Sequence, residues 1–404
     1  MRTWKGTLLT LTVALASCVL LLSGRGSAQT NSETDDASVA SARAVEASSA
    51  SAQAYVGTCK PGTKPGTTAF ASIQRAVTSV PAGATINICP GTYNEQVIIT
   101  QPLTLQGMQS NNSASVIIGA TGVTLVPFQS SAIYGGAVGQ LEVLNPDGPV
   151  NISGVVVDGS AISYSGVNFG WAAGIIFDSS LGTLDHVVAQ NLPQQQPWTL
   201  YEAGILILDD NSISPTVSVK SSEVNQPIEM GIFVPSGNIN LNVTKSHFSL
   251  ASYGIADWST GTSRLSGNTV INAYDGIYGF GSTSINGNTI INSNVGVIDW
   301  PASGDDVGDM SADITGNTLV NNAVGIWNFI PNAKIKSNKI FGGPGPSNNT
   351  SGVSDGIALQ CTPADVGGNT IVNTSIAVVS GAPGSSFNPG NSFFGDPVIQ
   401  QPCP

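Results

Sequence analysis

One phrase recurs along this chain and constrains the fold more than any other feature. Leu265-Ser-Gly-Asn-Thr-Val-Ile-Asn272 returns as Ile285-Asn-Gly-Asn-Thr-Ile-Ile-Asn292 and Ile314-Thr-Gly-Asn-Thr-Leu-Val-Asn321. Altered copies follow at Ile335-Lys-Ser-Asn-Lys-Ile340 and Val366-Gly-Gly-Asn-Thr-Ile-Val-Asn373. A Gly-aliphatic pair comes after each good copy: Gly276-Ile277, Gly296-Val297 and Gly325-Ile326. Repeats at such intervals predict a solenoid, because a unit this short buries its apolar face only by stacking on its neighbours.

The repeats are short strands. Apolar and polar positions alternate over a few residues, and Gly, Asn, Ser and Asp stand between the runs, as turns with positive φ require. A sandwich would need longer strands with hairpin signals, so a single wound sheet fits better. Winding stacks Asn268, Asn288, Asn317, Asn338 and Asn369 at one bend, in rungs about 4.8 Å apart. At that spacing each side-chain amide can donate to the next side-chain carbonyl, which is a structural use rather than a catalytic one. Upstream, Phe70, Ile73, Ala76, Val77 and Val80 have helical spacing, and Pro81 stops the helix. This segment is expected to cap the open end of the core.

Phe70-Ala-Ser-Ile-Gln-Arg-Ala-Val77, Ile88-Cys-Pro-Gly-Thr-Tyr-Asn-Glu-Gln-Val-Ile-Ile99 and Leu103-Thr-Leu-Gln-Gly107 together resemble the opening of the pectin-lyase-like superfamily. Ile152-Ser-Gly-Val-Val-Val-Asp-Gly159 and the Gly-Asn-Thr repeats extend the likeness over most of the chain. The resemblance implies an all-β, right-handed parallel β-helix with a short N-terminal capping helix. It also implies carbohydrate as ligand or substrate. These motifs belong to coil packing, so they do not select an activity.

The ends carry further expectations. Arg2 and Lys5 precede an apolar run from Leu8 to Leu22, and Gly26-Ser27-Ala28 offers small residues for cleavage, so residues 1–28 read as a signal peptide. Leu15-Ala16-Ser17-Cys18 also resembles a lipobox, which keeps a lipid anchor at Cys18 open beside soluble export. The run is too short for a membrane span, so no integral membrane segment is expected after cleavage. Residues 29–54 are rich in Ser and Ala and read as a disordered linker, with the β-helix domain over 55–404. The expected location is secreted, periplasmic or cell-surface.

Cys59, Cys89, Cys361 and Cys403 would remain after cleavage, and an even count in an exported chain reads as two disulfides. Of the three pairings, sequence proximity favours Cys59–Cys89 and Cys361–Cys403. Setting aside the leader's Arg2, Lys5 and Arg25 leaves 10 bases against 25 acids, a net charge near −15. Such a chain is a poor partner for nucleic acid, and it repels a polyanionic sugar unless a cation bridges them.

Candidate chemistry is spread thinly. The segment Gly91-Thr-Tyr-Asn-Glu95 is shared with pectin methylesterases, but their later catalytic segments have no counterpart, so Tyr93 and Glu95 read as corner residues. A polysaccharide lyase would need a basic proton acceptor. Arg264 is the one arginine beyond the helix, and it precedes a repeat phrase at a solvent-facing corner. Polygalacturonase-like hydrolases use clustered aspartates, one protonated and one activating water. Asp178, Asp209 and Asp210 are the catalytic candidates here. Aligning Gly174 with Gly204 predicts that Asp178 and Asp209 lie on consecutive rungs, close enough to raise one pKa. The Gly-His-Gly and Arg-x-Lys signatures of those enzymes are missing, since His186 and His247 sit in other contexts.

Outward positions after the aligned glycines read Phe233, Tyr278, Ile298 and Trp327. Slightly further on they read Trp258, Phe280, Trp300 and Phe329. Such a stripe suits stacking on sugar faces, with Trp258, Tyr278, Trp300 and Trp327 as the platform. Asp257, Asp275 and Asp299 are expected to accept hydroxyl bonds beside it. Long loops folding over the stripe would bury it instead. Asp305, Asp306 and Asp309 share one loop with Asp313 and offer oxygen ligands for calcium, without EF-hand spacing. No motif requires a cofactor. The residues leave three functions open: a pectin-type glycoside hydrolase, a polysaccharide lyase, or a non-catalytic module that binds surface glycans or serves only as a scaffold.

Overall fold

The structure is a computed structural model. It describes residues 52–59, 68–109, 115–130, 136–161, 163–164, 170–192, 201–225, 228–249, 251–301, 310–343, 354–360, 362–380, 385–387, 390–394 and 398–400. The signal-peptide and lipid-anchor expectations therefore fall outside the described residues. The first strand, Gln53–Val56, takes in the last two positions of the predicted linker, and Ala54 is buried in the core.

The described chain is a right-handed parallel β-helix. Three long sheets of 14, 12 and 13 strands run along it, and each coil contributes one strand to each sheet. One coil is Thr262–Ser266, Thr269–Ile271 and Asp275–Phe280, and the next is Ser282–Asn286, Thr289–Ile291 and Val295–Trp300. Equivalent positions of the recurring phrase are vertical neighbours. In the first sheet Leu265, Ile285, Ile314, Ile335 and Val366 form one column. In the second, Val270, Ile290, Leu319, Ile340 and Ile371 do the same. These aliphatic columns point inward and fill a single continuous core. Burial of each such side chain stabilises the coil by about 1.5–3 kcal/mol.

Two corner devices explain the recurring letters of the repeat. Gly267, Gly287, Gly316 and Gly368 turn the chain at φ between +63° and +66°, which an L side chain rarely adopts. The asparagine that follows faces inward. Asn268, Asn288, Asn317, Asn338 and Asn369 each donate from Nδ2 to Oδ1 of the next asparagine, at 3.0 to 3.2 Å, and the series ends on Asn391. Their other amide hydrogen goes to a strand carbonyl, for example Asn317 to Ile285 at 2.8 Å. Toward the N-terminus the ladder continues with Ser246 and Ser222, whose hydroxyls accept main-chain N–H groups in the same way. At the entry to the third sheet, glycines stack because there is no room for anything else. A Cβ at Gly276 would come 2.5 Å from the carbonyl oxygen of Gly296, and one at Gly296 would come 2.6 Å from that of Gly325.

The cap forms as a shorter helix than its apolar spacing suggests. Helix α1 spans Ile73–Ser79, and Phe70 instead ends the strand Thr68–Phe70. Ser72 caps it, and both oxygens of Glu95 accept its first N–H groups, from Ile73 at 2.8 Å and Gln74 at 2.9 Å. The Gln74 side chain then pairs with Ile98 like a missing strand, accepting its N–H and donating to its carbonyl. That contact protects the open edge of the third sheet. Glu95 and Tyr93 are structural, as expected, with the Tyr93 hydroxyl donating to the Cys89 carbonyl at 2.8 Å. Cys59 and Cys89 form a disulfide at this end. Cys361 and Cys403 lie outside the described residues.

Candidate functional site

The third sheet has the widest strands, and its outer face collects the aromatic residues. Parallel register sets Leu206, Phe233, Ala256, Tyr278, Ile298 and Trp327 in one outward column. Phe280 and Trp300 pair in the next outward column. The rings touch one another from rung to rung. Tyr278 lies 6.0 Å from Trp258 and 5.1 Å from Phe280, while Trp300 and Phe329 are 3.9 Å apart between centroids. Trp327 joins the second group through Phe329.

Exposure changes along this face. Phe233 is fully buried and stacks on Trp171 at 4.7 Å, within an apolar cluster that includes Ile176, Leu206 and Met230. The N-terminal part of the stripe is therefore a second core, covered from outside, as Phe128 packed against it shows. Further on the stripe opens. Trp258, Tyr278, Phe280, Trp327 and Phe329 are half-buried, and Trp300 is 38 % exposed.

Asp257 and Asp299 do not belong to this face. Both are fully buried and sit in register with Val234, Gly279 and Asn328, in a column that faces the interior of the coil. Strand alternation explains the difference from the expectation: each lies one position from an outward aromatic, so its side chain points to the opposite side. Asp257 accepts from the Ser263 hydroxyl and the Ser259 N–H, and Asp299 from the Thr283 hydroxyl, across the core to the first sheet. Burial pushes both carboxyls up, Asp299 well above the usual range. Neither can reach a ligand on the outer surface.

The three candidate catalytic aspartates separate into two roles. Asp178 pairs in register with Leu208, so it is Asp210 rather than Asp209 that approaches it. Counting from Gly174 and Gly204 gives this same register, so Asp209 stands on the next rung one position past the level of Asp178, beside Ser179. Asp209 faces its own turn, accepting from the N–H of Ile213 at 3.0 Å and of Ser214 at 3.2 Å. That is a local capping use. Asp178 is buried, and its Oδ1 accepts from Ser179 Oγ at 3.1 Å and the Asp210 N–H at 3.4 Å. Asp210 in turn accepts from Ser130 Oγ at 2.8 Å. Burial, with the Asp210 carboxyl beside it, pushes the Asp178 pKa up to about 6.

A second group of acids is poorly signalled by the sequence. Met230, Tyr253 and Asp275 stand in one column at the start of the third-sheet strands, with Glu229 beside Met230. Asp275 is 5 % exposed, and burial pushes its pKa up to about 7 against a hydrogen bond from the Val295 N–H. The Glu229 pKa is raised by burial too. Tyr253 and Tyr278 stack at 6.0 Å, and Asp275 lies close enough to both to help raise their pKa values beyond the effect of burial, that of Tyr278 to about 12. Counting registers from the glycine ladder would have brought Tyr253 to Asp275, with Glu229 two rungs away beside Met230. From Ala173 to Asp275 is four rungs, and Asp178 lies five positions along its strand, so the two acid groups are roughly 25 Å apart. Higher on the same face, burial pushes the Glu142 pKa up to about 8, against hydrogen bonds from the Gly139 N–H and Gln96.

Asp305, Asp306 and Asp309 lie outside the described residues. Among the described residues no group of three or more His, Cys, Asp or Glu side chains is placed to hold a metal. Nor, among them, is any helix long and apolar enough to cross a membrane.

Residues 57–337 match the family profile described as protein of unknown function, DUF1565. The chain belongs to that family. No curated protein sequence matches it. Among solved structures it is similar to the catalytic unit of a thermostable GH87 α-1,3-glucanase from Streptomyces thermodiastaticus strain HF3-3. That match has a TM-score of 0.53 at 14 % identity, over 86 % of this chain and 72 % of the other. A capsular polysaccharide depolymerase, tailspike gp49 of Acinetobacter baumannii bacteriophage Fri1, matches with TM-score 0.43 at 10 % identity, over 79 % of this chain and 58 % of the other. The A-module of the Azotobacter vinelandii mannuronan C-5 epimerase AlgE4 matches with TM-score 0.40 at 10 % identity, over 78 % and 94 %. Likeness at these identities is one of fold.

Proposed function

We propose that this β-helix binds polysaccharide or cell-surface glycan along the outer face of its third sheet, outside the cell. One observation carries the reading: Tyr278, Trp300 and Trp327 are held on successive rungs, half-open to solvent, by ring contacts that fix their orientation in advance. Ordered aromatic faces suit the apolar faces of sugar rings, because little side-chain entropy is lost on binding. The fold likeness to an α-1,3-glucanase is in keeping with a carbohydrate ligand, and the Cys59–Cys89 disulfide with an oxidising compartment. A glycan array would identify a ligand, and titration with that ligand would follow. Trp300→Ala should weaken binding at least tenfold without lowering the melting temperature. Unchanged affinity would overturn the assignment of the face.

A second reading, hydrolysis, is favoured by the Asp178–Asp210 pair. A buried carboxyl with a pKa near 6 beside a second carboxyl is the form an acid and base pair takes. Glycoside hydrolysis needs about 5 Å or more between the two groups, and here the Asp210 carboxyl is already within hydrogen-bond reach of Asp178. The pair would have to open around a substrate, so binding is placed first. Product analysis on an array hit tests it: Asp178→Asn should abolish turnover, and turnover retained in that variant would remove the reading.

A further inference from the structure

The carboxyl group of Asp275 is built into the outer face without enough partners. Its side chain is 5 % exposed, the Val295 N–H donates to it, and its Oδ1 has no hydrogen-bond partner. A buried, unsatisfied carboxyl oxygen costs free energy unless a donor arrives from outside. The groups around it are of one kind. Tyr253 and Tyr278 present stacked rings, and Glu229, half-buried, adds a second carboxyl on the side of Tyr253. The two ion pairs formed by described residues, His186 with Asp185 and Lys336 with Asp365, lie elsewhere. Two carboxyls and two tyrosine rings, with no cation paired to them among the described residues, make the arrangement that recognises an ammonium group. It does so by charge-assisted hydrogen bonds and attraction to the ring faces.

The ring of Tyr278 belongs both to this cage and to the aromatic stripe, which it joins through Trp258 and Phe280. A ligand lying on the stripe therefore passes the cage. The net charge of the chain, −12, favours a cationic polymer over an anionic one. We infer that the glycan taken by this face carries unsubstituted amino sugars, one ammonium group being seated between Asp275, Glu229, Tyr253 and Tyr278. This inference rests on the glycan-binding reading of the same face and names its substrate class.

The test compares oligomers of glucosamine with oligomers of N-acetylglucosamine of the same length, by calorimetric titration of the folded protein in about 0.15 M salt. The protein should bind the amino oligomer at least tenfold more tightly. Asp275→Asn should abolish that preference, while Glu223→Gln, an equal loss of charge at an exposed site, should leave it intact. If Asp275→Asn lowers the melting temperature, Glu229→Gln supplies the same readout from a half-exposed position. Equal affinity for the two oligomers, or an equal loss in Glu223→Gln, overturns the inference. Binding confined to neutral glycans on an array also overturns it and leaves the glycan-binding reading standing. An array with no hit at all removes both.

Discussion

The asparagine ladder predicts a specific and uneven sensitivity to mutation. In Asn317→Ala, Asn317 Oδ1 no longer accepts from the N–H of Asn288 at 2.9 Å or from its Nδ2 at 3.0 Å. The bonds from Asn317 Nδ2 to Asn338 Oδ1 at 3.0 Å and to the Ile285 carbonyl at 2.8 Å are lost as well. Asn338 Oδ1 keeps the Asn317 N–H, so the groups stranded are the Asn288 N–H, one hydrogen of its amide and the Ile285 carbonyl. At about 1–3 kcal/mol for each of these three buried polar groups, the loss is about 3–9 kcal/mol. Asn292 is the control. It belongs to an outer ladder with Asn272 and Asn321, half-open to water, and its φ of 56° suits glycine, so Asn292→Gly should lose less than about 1 kcal/mol. Urea unfolding followed by circular dichroism, with slopes compared to detect partial unfolding, measures both. If Asn317→Ala costs no more than Asn292→Gly, the buried amides do not hold the coils together.

Three further outcomes follow. Glu142 and Asp275 are buried with folded pKa values of about 8 and about 7, above their unfolded values, so the stability they contribute is complete at low pH and declines as pH rises toward 8. Melting temperature should accordingly fall between pH 5 and pH 8, and Glu142→Gln should flatten that fall; an unchanged slope would contradict the assignment. Asp209→Asn should lower stability by about 1 kcal/mol through its turn, whereas Asp178→Asn should leave melting temperature unchanged or raised at neutral pH, a contrast that calorimetry reads directly. Reducing the Cys59–Cys89 disulfide, with its sequence separation of 30, should destabilise the capped end by about 3–4 kcal/mol, seen as earlier proteolysis near the N-terminal coils.

The fold was legible in the sequence because coil stacking imposes its own period. Asn268, Asn288 and Asn317 recur in one sequence context because each occupies the same corner, and the glycines beside them suit its left-handed backbone, which Ser337 and Lys245 adopt in other coils. The site was harder to read, because it depends on counting within a rung. Gly174 and Gly204 put Asp178 and Asp209 on consecutive rungs, but the register pairs Asp178 with Leu208, and Asp209 turns to its own loop. Asp257 and Asp299 stand next to outward aromatics and point inward for that very reason, and Ser263 and Thr283 take their hydrogen bonds. Burial of Phe233 depends on segments outside the helical repeat, such as Phe128, which no periodicity foretells. Tyr253 and Glu229 carry no motif at all and acquire meaning only when the strands bring Tyr253 beside Asp275 and Glu229 close to Tyr253.

Oxidative footprinting read by mass spectrometry shows whether ligand lies on the outer face of the third sheet. With a glycan hit bound, Tyr278, Trp300 and Trp327 should be protected from oxidation while Tyr93, at the capped end, is unchanged. Protection elsewhere on the coil with these three rings still reactive would contradict the account.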